Sequence, residues 1–368
     1  MNKIRQSNFE LMRIVSMIFI ALWHFILFGK MEEGTSGITN IIIVIIEAII
    51  LVHVNSFILL TGYFNYDKKF KLSKVIKINN TMWFYRIICI LIFMICFSVS
   101  YSKLYIIRTF SPIPRFEDYW FLVVYMLLYL ISPLLNMIIN GSDKTKHFMI
   151  IVGLFIISIL GYATCNAFYN VNGGYSLFSG IFLYFLGAYL HKYPISFKNS
   201  RAKTVLLCLV GFAICVAINV IVYKFGCKHL YSHRETVRYY SEVIKSGFSA
   251  YSNPLIILCS LFYFIIFSNI KISNRAINFI GKNVLGVYLI TQNPLFFRRM
   301  YKWLNFDLNA YNYKHILIAI GYSVALVIVY SLIEALRSYL FKLIYDLKTS
   351  GKLRDKIKKL FKKVNINW

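Results

Sequence analysis

The chain has 368 residues, 59% of them hydrophobic and 18% aromatic against only 15% charged, and so little polar surface excludes a soluble globule of this mass. The apolar residues fall in runs of about twenty, the length a helix needs to cross a bilayer core, so helices rather than strands are expected. The formal charge of +27 is spread over loops and the tail, not gathered on one motif-bearing element, which argues against a nucleic-acid partner.

In chain order the runs predict ten transmembrane helices, at 9–28, 38–64, 80–101, 119–140, 147–168, 175–190, 204–225, 250–268, 278–296 and 314–345. The expected fold is an all-α, polytopic membrane bundle, with residues 1–346 as the transmembrane domain and 347–368 as a basic tail. If the N-terminus is cytoplasmic, sixteen lysines and arginines fall in inside segments before the tail and eight in the tail, against thirteen outside. That bias favours cytoplasmic placement of both termini. The first run has no small-residue cleavage site after it and reads as a retained helix, not a signal peptide. Lys, Ile and Asn richness hints at an AT-rich bacterial genome and hence a bacterial cell membrane.

The first predicted helix carries Glu10, Arg13 and His24, and ionisable groups inside a membrane call for a partner or a function. Arg13 and His24 are eleven residues apart, which at 100° per residue returns to within about 20° of one face and rises about 16 Å. Glu10 is an i, i+3 neighbour of Arg13 on that face. One reading is structural: Arg13 snorkels, Glu10 pairs with it, and His24 bonds to another helix. The other makes His24 a general base at the head of a channel with a basic mouth.

The second predicted helix brings Glu47, His53, Asn55 and Ser56 and ends in Thr61, Gly62 and Tyr63. Each polar group could simply bond to a neighbouring helix, though the load is unusual for one span. A basic cluster comes next, with Lys68, Lys69, Lys71, Lys74 and Lys77. Lys74 and Lys77, one turn apart, suit a phosphate-bearing ligand and equally suit positive-inside anchoring. The seven cysteines are odd in number, show no Cys-x-x-Cys and mostly lie in apolar runs. They read as small buried hydrophobes, and no metal site is expected. Beyond Gly351 the tail spaces Leu353, Ile357, Leu360, Phe361 and Val364 on one face among lysines, as an amphipathic helix on an anionic inner leaflet would.

Four stretches together resemble the acyltransferase-3 family. They are Arg5 to Arg13 with Trp23-His24-Phe25, an arginine, ten residues, then a histidine; Val54 to Phe64; Tyr119-Trp120-Phe121-Leu122 with Ser132-Pro133-Leu134-Leu135-Asn136; and Leu285-Gly286-Val287-Tyr288-Leu289-Ile290. The resemblance implies an integral-membrane enzyme that takes an acyl group, usually acetyl, from cytoplasmic acyl-CoA to a sugar hydroxyl of a surface or exported glycan. It implies His24 as catalytic base and Arg13 as its partner in the arginine-histidine motif, and Glu10 would hold Arg13 in place. Lys69, Lys74 and Lys77 would hold the acetyl-CoA phosphates, and Asn55, Tyr63, Trp120 and Tyr288 would bind substrate. Two departures stand out. The family's arginine pair is Lys74 and Lys77 here, which keeps charge but loses bidentate geometry, and Thr291, followed by Gln292, Asn293 and Pro294, stands where relatives often have histidine.

Two other readings have the same outward signs. A non-catalytic polysaccharide transporter or flippase shares the helix count and intramembrane polar groups, although no repeated Gly/Pro interruption in matching halves supports it. An acyltransferase using another donor, such as succinyl-CoA, is the other. The acceptor is expected to be a glycan or a lipid-linked sugar.

Overall fold

A computed structural model describes residues 5–112, 114–163, 172–195, 200–230, 233–306 and 310–349, and among them the regular structure is helical throughout. The helices are α1 (Ser7–Phe28), α2 (Gly37–Ile50), α3 (His53–Asn65), α4 (Leu72–Phe97), α5 (Lys103–Thr109), α6 (Phe116–Asn140), α7 (Lys144–Ala163) and α8 (Leu177–Lys192). They continue with α9 (Arg201–His229), α10 (Glu235–Gly247), α11 (Pro254–Asn269), α12 (Arg275–Lys282), α13 (Val284–Thr291), α14 (Phe297–Trp303) and α15 (Tyr313–Thr349). Several begin where the sequence offers a cap. Ser176, Ser200, Asn253 and Asn274 each accept a backbone N–H from the first turn of α8, α9, α11 and α12.

Each predicted run contains a helix, but six spans among the described residues are long and apolar enough to cross a membrane: α1, the α2–α3 stretch, α4, α6, α9 and α15. The count of ten is therefore not confirmed. The other four runs hold α7, α8, α11 and the α12–α13 pair; α8 and α11 have 16 residues each and α12 and α13 have 8 each, short of the roughly 20 residues that cross 30 Å. The run at 38–64 is broken at Leu51–Val52, which separates α2 from α3. The predicted tail helix lies outside the described residues.

α1 is the hub of this polytopic bundle, touching α2, α3, α11, α12, α13, α14 and α15. Phe9, Met12, Trp23 and Phe25 pack into one apolar core with α2, α3, α8 and α11. Ile14, Met17 and Ile20 face a second core built from α4, α6 and α13. α3 and α8 approach closely because Gly62 and Gly187 sit at their contact, where a Cβ would collide with the carbonyls of Tyr184 and Leu59; small residues at a membrane helix interface allow this. Lipid-facing apolar side chains such as Ile95, Ile221, Leu317 and Leu336 stay exposed on α4, α9 and α15.

Two features of α6 fix its place in the bundle. At Tyr119 the backbone leaves helical angles (φ −146, ψ 57), and the buried Tyr119 hydroxyl donates to the Leu289 carbonyl of α13 at 3.1 Å, pinning the break to that helix. Further on, Pro133 removes the N–H that would bond to the carbonyl four residues back. The hydroxyl of Ser132 supplies a donor to that same Tyr129 carbonyl at 2.7 Å, so the helix continues.

Candidate active site

The charged end of α1 is organised by one carboxylate. Oε1 of buried Glu10 accepts from Arg5 at 2.6 Å and from Arg13 at 2.7 Å, while Oε2 has no hydrogen-bond partner. Gly281 of α12 lies against it, and a Cβ there would stand 2.5 Å from Oε2, so only glycine lets α12 cover this carboxylate. Arg13 keeps 29% of its side-chain exposure, and its guanidinium lies 5.8 Å from the centre of the Phe64 ring. Lys68 reaches the same ring at 5.4 Å. Phe64 thus joins the α1 arginine to the lysine cluster through cation–π contacts.

That cluster forms a pocket of about 550 Å³ lined by Asn65, Lys68, Lys69, Phe70, Lys71, Lys74, Tyr129 and Ser132. Local bonds explain its shape. The Lys71 backbone N–H donates to the Tyr129 hydroxyl at 3.2 Å, the Lys74 ammonium lies 4.3 Å from the Tyr129 ring centre, and Asn136 ties the Asn65 carbonyl at 3.0 Å. The α3–α4 connector is thereby clamped onto α6 beside Pro133. Four ammonium groups and no carboxylate in the wall suit a polyanionic ligand such as a phosphate ester. Lys69 and Lys74 are brought together here with Lys68 and Lys71. Lys77, one turn further along α4, is exposed and does not line the pocket.

At the other end of the α1 stripe, part-buried His24 is surrounded by rings. Phe28 stacks on it at 5.5 Å, and Phe297 and Tyr301 of α14 close in at 5.4 and 6.5 Å. The side-chain amide of Gln292, just past α13, lies 3.0 Å from Nδ1. His53 of α3 is within electrostatic range, but its own nitrogens are committed. Nδ1–H donates to the Ile50 carbonyl at 2.6 Å, and Nε2 accepts from the Tyr251 hydroxyl at 3.0 Å. His53 is therefore a fixed support.

The expected substrate-binding residues divide. Asn55 donates to the Tyr251 carbonyl at 3.0 Å, and Trp120, turned by the break at Tyr119, stacks on Tyr251 at 5.8 Å and lies 4.4 Å from Tyr175. Tyr288 joins this group through Phe121, at 5.7 Å. Tyr63 does not: it packs on Phe9, Phe264 and His191 at the opposite end of α3. Thr291 is buried, with its hydroxyl turned back to the Val287 carbonyl at 2.9 Å, so it takes no part at His24.

Sequence reasoning passed over three groups. Glu334 of α15 binds Arg337 through two contacts, 2.6 and 2.7 Å, and accepts from the Tyr85 hydroxyl at 2.7 Å. Buried Arg86 of α4 meets the half-buried Asp118 at 3.4 Å. The signal for these was the one used on α1, ionisable residues in apolar runs. Gln292 had no such signal, because its partner is 268 residues away.

A protein-family model described as an acyltransferase domain, acyltransferase-3, matches residues 6–334. Comparison with curated proteins and with solved structures gives no match.

Proposed function

The chain belongs to the acyltransferase-3 family, a membrane acyltransferase by that membership, and on this premise we propose that it is an O-acetyltransferase carrying acetyl from cytoplasmic acetyl-CoA to a sugar hydroxyl of a cell-surface or exported polysaccharide. The observation that carries the reading is the layout of α1. A polybasic pocket and the Glu10–Arg13 pair adjoin at one end of its polar stripe, through Phe64, and a part-buried imidazole held by an amide stands at the other.

In this reading both termini are cytoplasmic. Lys68, Lys69, Lys71 and Lys74 hold the donor's phosphates, with Arg13 beside them. Arg13 and His24 are about 16 Å apart along the helix, a gap for the flexible thioester arm and not for the nucleotide. His24 takes the proton of the acceptor hydroxyl, the oxygen attacks the thioester carbonyl, and the C–S bond breaks. The departing thiolate recovers the proton from the imidazolium. Asn55, Trp120, Tyr175, Tyr251 and Tyr288 support an aromatic wall of the kind on which a sugar face rests.

The test is transfer of labelled acetyl from acetyl-CoA to host surface glycan by purified protein. His24→Ala is expected to lower transfer by about 10²-fold or more while membrane insertion is unchanged. Normal transfer by that variant removes His24 from the chemistry. Wild-type protein that transfers no label favours a transporter, and competition by succinyl-CoA reports another donor.

A further inference from the structure

A neutral imidazole has one N–H and one lone pair, and only the lone-pair nitrogen can receive a proton. Base catalysis at His24 therefore depends on something fixing which nitrogen is which.

The Gln292 amide meets the ring from within the protein, 3.0 Å from Nδ1. With Nδ1 engaged, Nε2 is the nitrogen left for the acceptor hydroxyl, and to act as the base it must hold the lone pair, which puts the hydrogen on Nδ1. The Gln292 amide then presents its oxygen there, a half-turn about its last bond that preserves its shape.

We infer that Gln292 is the positioning residue of His24: its amide oxygen accepts the Nδ1 hydrogen and leaves Nε2 as the nitrogen that takes the acceptor's proton. The inference rests on His24 being the base. The surroundings fit it. Gln292 is fixed by its own backbone, whose N–H bonds to the Tyr288 carbonyl at 2.9 Å as α13 ends, and α13 is pinned to α6 through Tyr119. From α3, His53 has both nitrogens occupied. From α14, Tyr301 and Phe297 present rings, and the buried Tyr301 hydroxyl makes no hydrogen bond. Thr291 bonds within α13, which leaves orientation to Gln292. During transfer the proton moves from acceptor oxygen to Nε2, the acyl C–S bond breaks with its pair on sulfur, and sulfur takes the proton from Nε2. Nδ1–H stays on Gln292 throughout.

The experiment measures thiol release from acetyl-CoA by detergent-purified full-length protein with host surface glycan, across pH, for wild type, Gln292→Met, Gln292→Glu and His24→Ala. Gln292→Met keeps size and removes the acceptor; kcat is expected to fall about 10²-fold or more with KM for acetyl-CoA unchanged. Gln292→Glu keeps an acceptor and adds charge that favours the protonated ring, so it is expected to be active with the acid limb of its pH profile moved to higher pH. Wild-type turnover by Gln292→Met, or an unmoved acid limb in Gln292→Glu, overturns the inference. An inactive His24→Ala beside a fully active Gln292→Met ends only the role of Gln292, whereas an active His24→Ala ends the assignment of the base itself. If Gln292→Met unfolds early in a thermal melt, the acid limb of Gln292→Glu alone decides.

Discussion

Glu10 shows how one buried oxygen orders the charged end of α1. Its Oε1 receives two guanidinium groups, and charge-assisted bonds of this kind hold more strongly than neutral ones. Glu10→Gln is expected to release Arg13 toward solvent and raise KM for acyl-CoA by about tenfold, the effect of losing roughly 1.5 kcal/mol of charged hydrogen bonding, with little change in kcat; steady-state kinetics on the purified variant measure both. Glu10, Arg13 and His24 were legible in the sequence because a titratable residue in an apolar run announces its own cost. Gln292 and Tyr251 were not, since an uncharged amide and a tyrosine are ordinary in such runs and their partners come from distant helices.

At the level of helices, the contact of α3 with α8 depends on two missing methyl groups. Gly187→Ala drives a Cβ into the Leu59 carbonyl, a backbone atom that cannot swing aside. Overpacking of this sort costs about 1–3 kcal/mol, so a lower melting temperature in detergent is expected, and acetyl transfer should fall in step with the folded fraction. The α3–α4 connector presents a different dependence. Replacing Lys68, Lys69, Lys71 and Lys74 together by alanine is expected to raise KM for acyl-CoA and to flatten its dependence on ionic strength, because a polybasic pocket binds phosphates by long-range attraction; titration with added salt reads this directly. The lysines themselves were evident from the sequence, but not which of them share a pocket. Lys77 differs from Lys74 only by the turn of α4 that carries it away from Tyr129.

Across the whole molecule, each of the ten apolar runs holds a helix, while α5, α10 and α14 lie outside them, and run length alone did not separate full spans from short ones. Hydropathy registers composition, and it does not show the breaks at Leu51–Val52 and at Asn283, between α12 and α13. The Glu334–Arg337 pair joins three parts of the bundle, with Tyr85 of α4 as a third member and Gly286 of α13 against the Glu334 side chain. Removing one partner leaves a buried charge unmatched, at about 3–5 kcal/mol. Arg337→Met alone is expected to abolish a cooperative melt, and Glu334→Gln combined with it to restore much of one; the ratio of folded to aggregated protein on size-exclusion chromatography scores the pair. The glycine contact has one further mechanical result. Because α3 and α8 are seated backbone against backbone, they form a stiff wall, and the room a bulky polyanion needs must come from the opposite side. If the pocket takes a polyanion, as proposed, the strap between α3 and α4, held to α6 by the Tyr129 hydroxyl and the Asn136 amide, is the side that has to shift to admit it.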